Sequence, residues 1–206
     1  TVHFIVAGPG AADLLTLRAA RLLQESPICL YAGTYIDDEV LSHCGPETEL
    51  IDTAYLNLDA ITATLVAAHD AGHDVARLCS GDPSIYSAIA EQTRRLDAAG
   101  VPWDLTPGVP AYAATAALIG RELTVPEVAQ SVVLTRAQKD STKMPPGETL
   151  AAFAATNATI VLHLAIRHTR RLADELSAHY GANCPVVVGS QVTQPEELIL
   201  RGTLAD

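Results

Sequence analysis

Three short apolar runs in the first half of the chain each end in a loop of glycine and proline, and each loop leads into a helical pattern. Residues 2–7 stop at Gly8-Pro9-Gly10, residues 75–79 at Ser80-Gly81-Asp82-Pro83, and residues 103–106 at Pro107-Gly108-Val109-Pro110. Further strand-like runs cover 28–31 and 50–52. Helical spacing covers 16–25, 37–43, 59–71, 85–99 and 111–118, with Gly72 and Gly100 as stops. Strands alternating with helices of this length predict an α/β fold whose mainly parallel sheet carries helices on both faces. The periodicity lapses over 119–126, which places a domain boundary between 1–119 and 120–206. The second half predicts strands at 132–135, 159–164, 186–188 and 198–200 and helices at 150–155 and 167–180. These make a smaller α/β domain with a mixed sheet. The Pro-rich, charged stretch 139–147 reads as a mobile loop.

Composition narrows the function classes. With 206 residues, 49% of them hydrophobic, the chain can bury a substantial core. No stretch approaches the ~20 apolar residues that span a bilayer, and no basic leader precedes the first strand, so a cytoplasmic protein is expected. A net charge of −11 speaks against a nucleic-acid partner. That charge is uneven: residues 1–120 hold five Lys/Arg against fifteen Asp/Glu, whereas 121–206 hold eight against nine. An anionic ligand is therefore held chiefly from the second half or by backbone amides. Cys29, Cys44, Cys79 and Cys184 are scattered and read as buried, inert thiols. The histidines show no metal-ligand spacing, so no metal is expected.

The loops themselves limit the chemistry. Gly8-Pro9-Gly10-Ala11-Ala12-Asp13 stands where a dinucleotide fingerprint would, yet Asp13 replaces its third glycine. It can still be a nicotinamide-binding loop, a tight structural turn or a ligand loop of another kind. Asp82 reads as the cap of a helix whose first turn begins at Pro83, with Gly81 allowing a ligand close to the backbone. No nucleophile elbow and no phosphate-binding lysine are present. The three loops describe a crevice at strand ends that meets its ligand mainly through backbone.

Gly8-Pro9-Gly10, Ser80-Gly81-Asp82-Pro83, Thr106-Pro107-Gly108-Val109-Pro110-Ala111, Leu134-Thr135-Arg136 and Leu162-His163-Leu164-Ala165 resemble, in order, the motifs of the tetrapyrrole methylases. That family methylates uroporphyrinogen-derived rings and the diphthamide precursor with S-adenosylmethionine, leaving S-adenosylhomocysteine. Tyr31-Ala32-Gly33, Ser84-Ile85-Tyr86 and Arg201-Gly202-Thr203-Leu204 look like the members that methylate carbon 11 of precorrin-4 or cobalt-precorrin-4 in cobalamin biosynthesis. Other members often carry Tyr-Asp at Tyr31-Ala32, and relatives continue past the position of Asp206. The resemblance implies a homodimer with the cofactor in a cleft between the two domains. It implies cofactor contacts at Pro9, Ser80, Gly81, Asp82, Ile85, Pro110, Ala111, Leu164 and Val192. Tyr31, Asp13 and His163 are candidates for orienting the ring or taking the proton it loses. Arg121, Arg136, Lys139 and Lys143 are candidates for pairing with the carboxylates of the macrocycle. A sibling methylase with another acceptor and a nucleotide-sensing module on the same fold are the alternatives.

Overall fold

A computed structural model describes residues 1–33, 36–137 and 143–206. The chain forms two compact units, Thr1–Ala114 with Gln191–Glu196, and Thr115–Ser190 with Glu197–Asp206. In the first unit the elements run β1 (Val2–Val6), α1 (Leu17–Glu25), β2 (Ile28–Tyr31), α2 (Asp38–Leu41), β3 (Glu49–Asp52), α3 (Leu58–Asp70), β4 (Val75–Cys79), α4 (Ile89–Ala98) and β5 (Trp103–Leu105). The chain then passes along α5 (Ala111–Leu118) into the second unit. Thr16, Asp37 and Asn57 start their helices as caps, each side chain accepting an amide of the first turn.

The five strands are parallel, in the order β3-β2-β4-β1-β5. Side chains alternate across a strand, so an apolar strand feeds two cores. Val2, Phe4, Leu30 and Val75 face Ile61 and Leu65 of α3 and Ile89 and Leu96 of α4. Ile5, Cys29, Ala76 and Leu78 face Ala19 and Leu23 of α1 and Val40 of α2. Trp103 closes the first core edge-on to Phe4, with ring centroids 6.3 Å apart. The helix after β1 and the helix after β4 thus cover opposite faces, although β1 and β4 are neighbours. Their connections diverge at the carboxyl ends of these two strands, which is where open α/β sheets form a ligand crevice.

One polar group interrupts the first core. Arg77 is only 8% exposed; its Nε donates to Gln92 Oε1 at 3.1 Å and its Nη1 to Leu30 O and Thr53 Oγ1 at 3.4 Å. A buried guanidinium held by neutral acceptors trades its hydration for oriented dipoles. Here it ties β4 to β2 and to Thr53, just beyond β3.

The second unit contains β6 (Val132–Arg136), α6 (Leu150–Ala154), β7 (Thr159–His163), α7 (Thr169–Tyr180), β8 (Pro185–Ser190) and β9 (Leu198–Thr203). Its mixed character is divided between a parallel pair, β6-β7, and an antiparallel pair, β8-β9. Thr149 caps α6, and the Tyr180 hydroxyl at the end of α7 donates to Ala158 O at 2.5 Å. A 3-10 turn, Ile166–His168, occupies what the spacing predicted as the first turn of α7. Of the predicted loop 139–147, residues 139–142 lie outside the described residues.

The structure corrects one local reading. The predicted helix 85–99 begins only at Ile89, because Tyr86 and Ala88 adopt left-handed φ of 54° and 53°. Asp82 is therefore not its cap, and Pro83 is not in its first turn. The Asp82 carboxylate serves Ser84 and a more distant loop instead.

Candidate functional site

The three Gly/Pro loops meet at the carboxyl ends of β1, β4 and β5. Gly81 N donates to Gly8 O at 2.9 Å, forming an isolated bridge between the first two. Asp82 Oδ1 accepts from the Ser84 amide at 2.9 Å and from its hydroxyl, and Asp82 Oδ2 accepts from Gly108 N at 2.9 Å, which joins the second loop to the third. Burial works to raise the Asp82 carboxyl, but the hydrogen bonds from Ser84 and Gly108 outweigh it and hold the group below the usual aspartate range. Gly108 is needed by space. A Cβ there would stand 2.8 Å from Val6 Cγ1 and 3.0 Å from Gly81 O. Gly81 is needed by conformation, with φ +73°, and a Cβ on it would meet no protein atom within 4 Å.

A cavity of about 450 Å³ opens beside these loops, lined by Asp82, Ile85, Gly108, Pro110 and Tyr112 among others. That volume falls within the ~300–1,000 Å³ of small-ligand sites. Its walls are apolar apart from a few polar groups, and the open side of Gly81 leaves backbone accessible, a combination that fits a nucleoside-bearing cofactor. Of the expected cofactor residues, the cavity gathers Asp82, Ile85 and Pro110. Ser80 and Ala111 are exposed beside it in sequence, and Pro9 is buried in the first loop. Val192 is buried within Gln191–Glu196, the segment that belongs to the first unit. Tyr112 is a lining residue that the sequence did not single out; its place directly after the third motif was the available signal.

The second set of loops is ordered by Asp52 and Thr53. Asp52 Oδ1 accepts from Gly33 N and Ala54 N, contacts that lower its pKa, Gly33 first. Thr53 donates to Tyr31 O through its amide at 2.7 Å and its hydroxyl at 2.9 Å. Burial first, then the carboxylates of Asp52 and Asp38, raises the Tyr31 phenol. A raised phenol holds its proton over a wider pH range, which suits Tyr31 to donating a hydrogen bond. Asp13 is exposed in the 3-10 turn Ala12–Leu14.

The remaining candidates lie in the second unit. Arg136 and His163 are register partners at the ends of β6 and β7, and burial lowers the His163 pKa, which favours a neutral ring. Leu164 follows with a left-handed φ of 54° and is 58% exposed. Arg121 and Lys143 are exposed, and Lys139 lies outside the described residues. Among the described residues no group of three or more His, Cys, Asp or Glu is placed to hold a metal, and no helix is long and apolar enough to cross a membrane. A hydrogen bond with Cys44, then burial, raises the Cys29 thiol, and burial raises Cys79.

Comparison with known proteins decides the family. The sequence model of the Tetrapyrrole (Corrin/Porphyrin) Methylases matches residues 1–206. The chain belongs to the tetrapyrrole methylase family. It is 54% identical to a precorrin-4 C(11)-methyltransferase of Rhodococcus erythropolis, over 100% of this chain and 82% of the relative. It is 35% identical to a cobalt-precorrin-4 C(11)-methyltransferase of Priestia megaterium, over 100% and 80%. The fold is similar to a solved cobalt precorrin-4 methyltransferase, with TM-score 0.95 and 34% identity over 100% of this chain and 86% of that one. It is also similar to a uroporphyrin-III C-methyltransferase of Thermus thermophilus complexed with S-adenosyl homocysteine, with TM-score 0.81 and 28% identity over 99% and 83%.

Proposed function

We propose that this methylase transfers a methyl group from S-adenosylmethionine to carbon 11 of precorrin-4 in cobalamin biosynthesis. The observation that carries this reading is identity across the whole chain: 46–54% to relatives named for precorrin-4, against 34–35% to relatives named for the cobalt-containing substrate. Turnover assays with both substrates test it. Faster methylation of metal-free precorrin-4 is expected, and exclusive use of the cobalt form would overturn the choice. The same resemblance supports a homodimer, which a monomer mass in light scattering would refute.

S-adenosylmethionine supplies a methyl group on a sulfonium, a leaving group that needs no acid to depart. The residues of this chain then act mainly by positioning, which can supply ~7–11 kcal/mol when reacting atoms are held near contact. The linked loops at Gly8, Gly81 and Gly108 present a rigid backbone surface, with Asp82 as their tie. Tyr31 donates a hydrogen bond to the macrocycle. Arg121, Arg136, Lys139 and Lys143 pair with its carboxylates, Arg in bidentate fashion where geometry allows.

Two outcomes follow from these roles. Substrate affinity is expected to fall with rising salt, because exposed ion pairs are screened at a Debye length of ~8–10 Å, while S-adenosylhomocysteine affinity stays level. Titration of both ligands across a salt series measures this, and equal sensitivity would contradict it. Asp82→Ala is expected to weaken S-adenosylhomocysteine binding about tenfold, since it frees the Gly108 and Ser84 amides together. The pH dependence has a defined sign. Because the folded-state pKa of Asp82 is depressed, its contribution is complete above the ordinary aspartate pKa and is lost as pH falls through the depressed value. Calorimetry between neutral and acidic pH should show the parent losing affinity there and Asp82→Ala changing less.

A further inference from the structure

The first loop is fastened by residues that come almost at the other end of the chain. Pro9 is buried, and its carbonyl accepts from Gln194 Nε2 at 3.1 Å. Ala11 N donates to Thr193 Oγ1 at 3.0 Å. The Gln194 stem also lies over Gly10: a Cβ built there, at φ +156°, would stand 2.3 Å from Gln194 Cγ. A buried carbonyl and a loop amide both need partners, and a three-residue loop containing proline has few polar groups to offer. Gln194 and Thr193 supply a partner on either side of Gly10.

The conformation of the fastening segment points the same way. Gln191 and Thr193 have φ of +48° and +66°, the left-handed region. For a β-branched residue such as threonine this is an outlier that persists only where the surroundings fix it. Between them Val192 is buried, which anchors the segment. The strain at Thr193 places its hydroxyl on the Ala11 amide.

We infer that Thr193 and Gln194 are positioning residues that hold the Gly8-Pro9-Gly10 loop in its ligand-binding shape, with strain at Thr193 maintained for that purpose. This rests on the proposed function, in which that loop faces the cofactor. A residue kept only for stability would give a less stable protein when replaced by glycine. Here the two effects separate, because glycine relieves the left-handed strain while removing the hydroxyl.

The test uses the whole chain and three variants, Thr193→Gly, Thr193→Ser and Gln194→Ala. It reads melting temperature, hydrogen exchange at the Ala11 amide, and calorimetric affinity for S-adenosylhomocysteine. Thr193→Gly is expected to melt no lower than the parent, to speed exchange at Ala11, and to lose about tenfold in affinity. Thr193→Ser, which keeps the hydroxyl, should retain parental affinity, and Gln194→Ala should lose affinity as Thr193→Gly does. If the parent binds the ligand and Thr193→Gly and Gln194→Ala bind it equally well, the inference is overturned alone. A parent that binds no S-adenosylhomocysteine overturns the proposed function and the inference together.

Discussion

Gly81→Val is expected to reduce S-adenosylhomocysteine binding by at least about a hundredfold while the protein remains folded. Two effects coincide at this residue. Its φ of +73° is strained for any L side chain and most for a β-branched one, at a cost of ~1–3 kcal/mol. A side chain built there meets no protein atom within 4 Å, so it projects into open space beside the cavity instead of into the core. The protein thus accommodates the volume and the ligand does not. The strain alone lowers the melting temperature by a few degrees, given ~2–4 °C per kcal/mol for a chain of this size. Gly81→Ala separates the two contributions, since it carries most of the φ penalty and little of the bulk. Parental affinity in Gly81→Val would leave Ser80-Gly81-Asp82-Pro83 as a turn without a ligand.

Gly108→Ala is expected to lower stability and affinity together, which distinguishes it from the change at Gly81. Its new methyl would meet Val6, a β1 residue only 1% exposed, at 2.8 Å and the Gly81 carbonyl at 3.0 Å. Neither can retreat, because Val6 is buried in register with Cys79 of β4 and Gly81 is paired with Gly8. Overpacking of this kind costs ~1–3 kcal/mol. The displaced loop also carries Gly108 N away from Asp82, so the tie between loops is lost with it. Thermal melts and calorimetry on Gly108→Ala, and on the same change combined with Val6→Ala, provide the check. Restored stability in the double variant is expected; a double variant no better than the single would place the fault elsewhere.

In the first unit β1, β4 and β5 were legible because each is a short, mostly apolar run ended by a Gly/Pro loop, and α1, α2 and α3 because each has its own side-chain cap. Thr16, Asp37 and Asn57 act within three residues of themselves, which is the range over which sequence patterns speak. Asp82 was misread for the complementary reason. Asp-Pro-Ser has the local form of a cap, but Gly108, twenty-six positions away, takes one of its oxygens. No periodicity reports such a partner. Thr193 and Gln194 were missed in the same way, since their partners stand 182 and 185 positions earlier. The candidate residues Asp82, Ile85 and Pro110 came from family motifs, whereas the order of the strands that brings them to one cavity follows from packing.

The membership of Gln191–Glu196 in the first unit has a consequence for biogenesis. A ribosome delivers the strands and helices up to Ala114 first, and domains generally fold as they emerge. Such a nascent sheet would hold its two cores but not the partners of Pro9 and Ala11, which are translated only after Thr115–Ser190 of the second unit. The first loop thereby lacks two of its hydrogen-bond partners until Thr193 and Gln194 have been made.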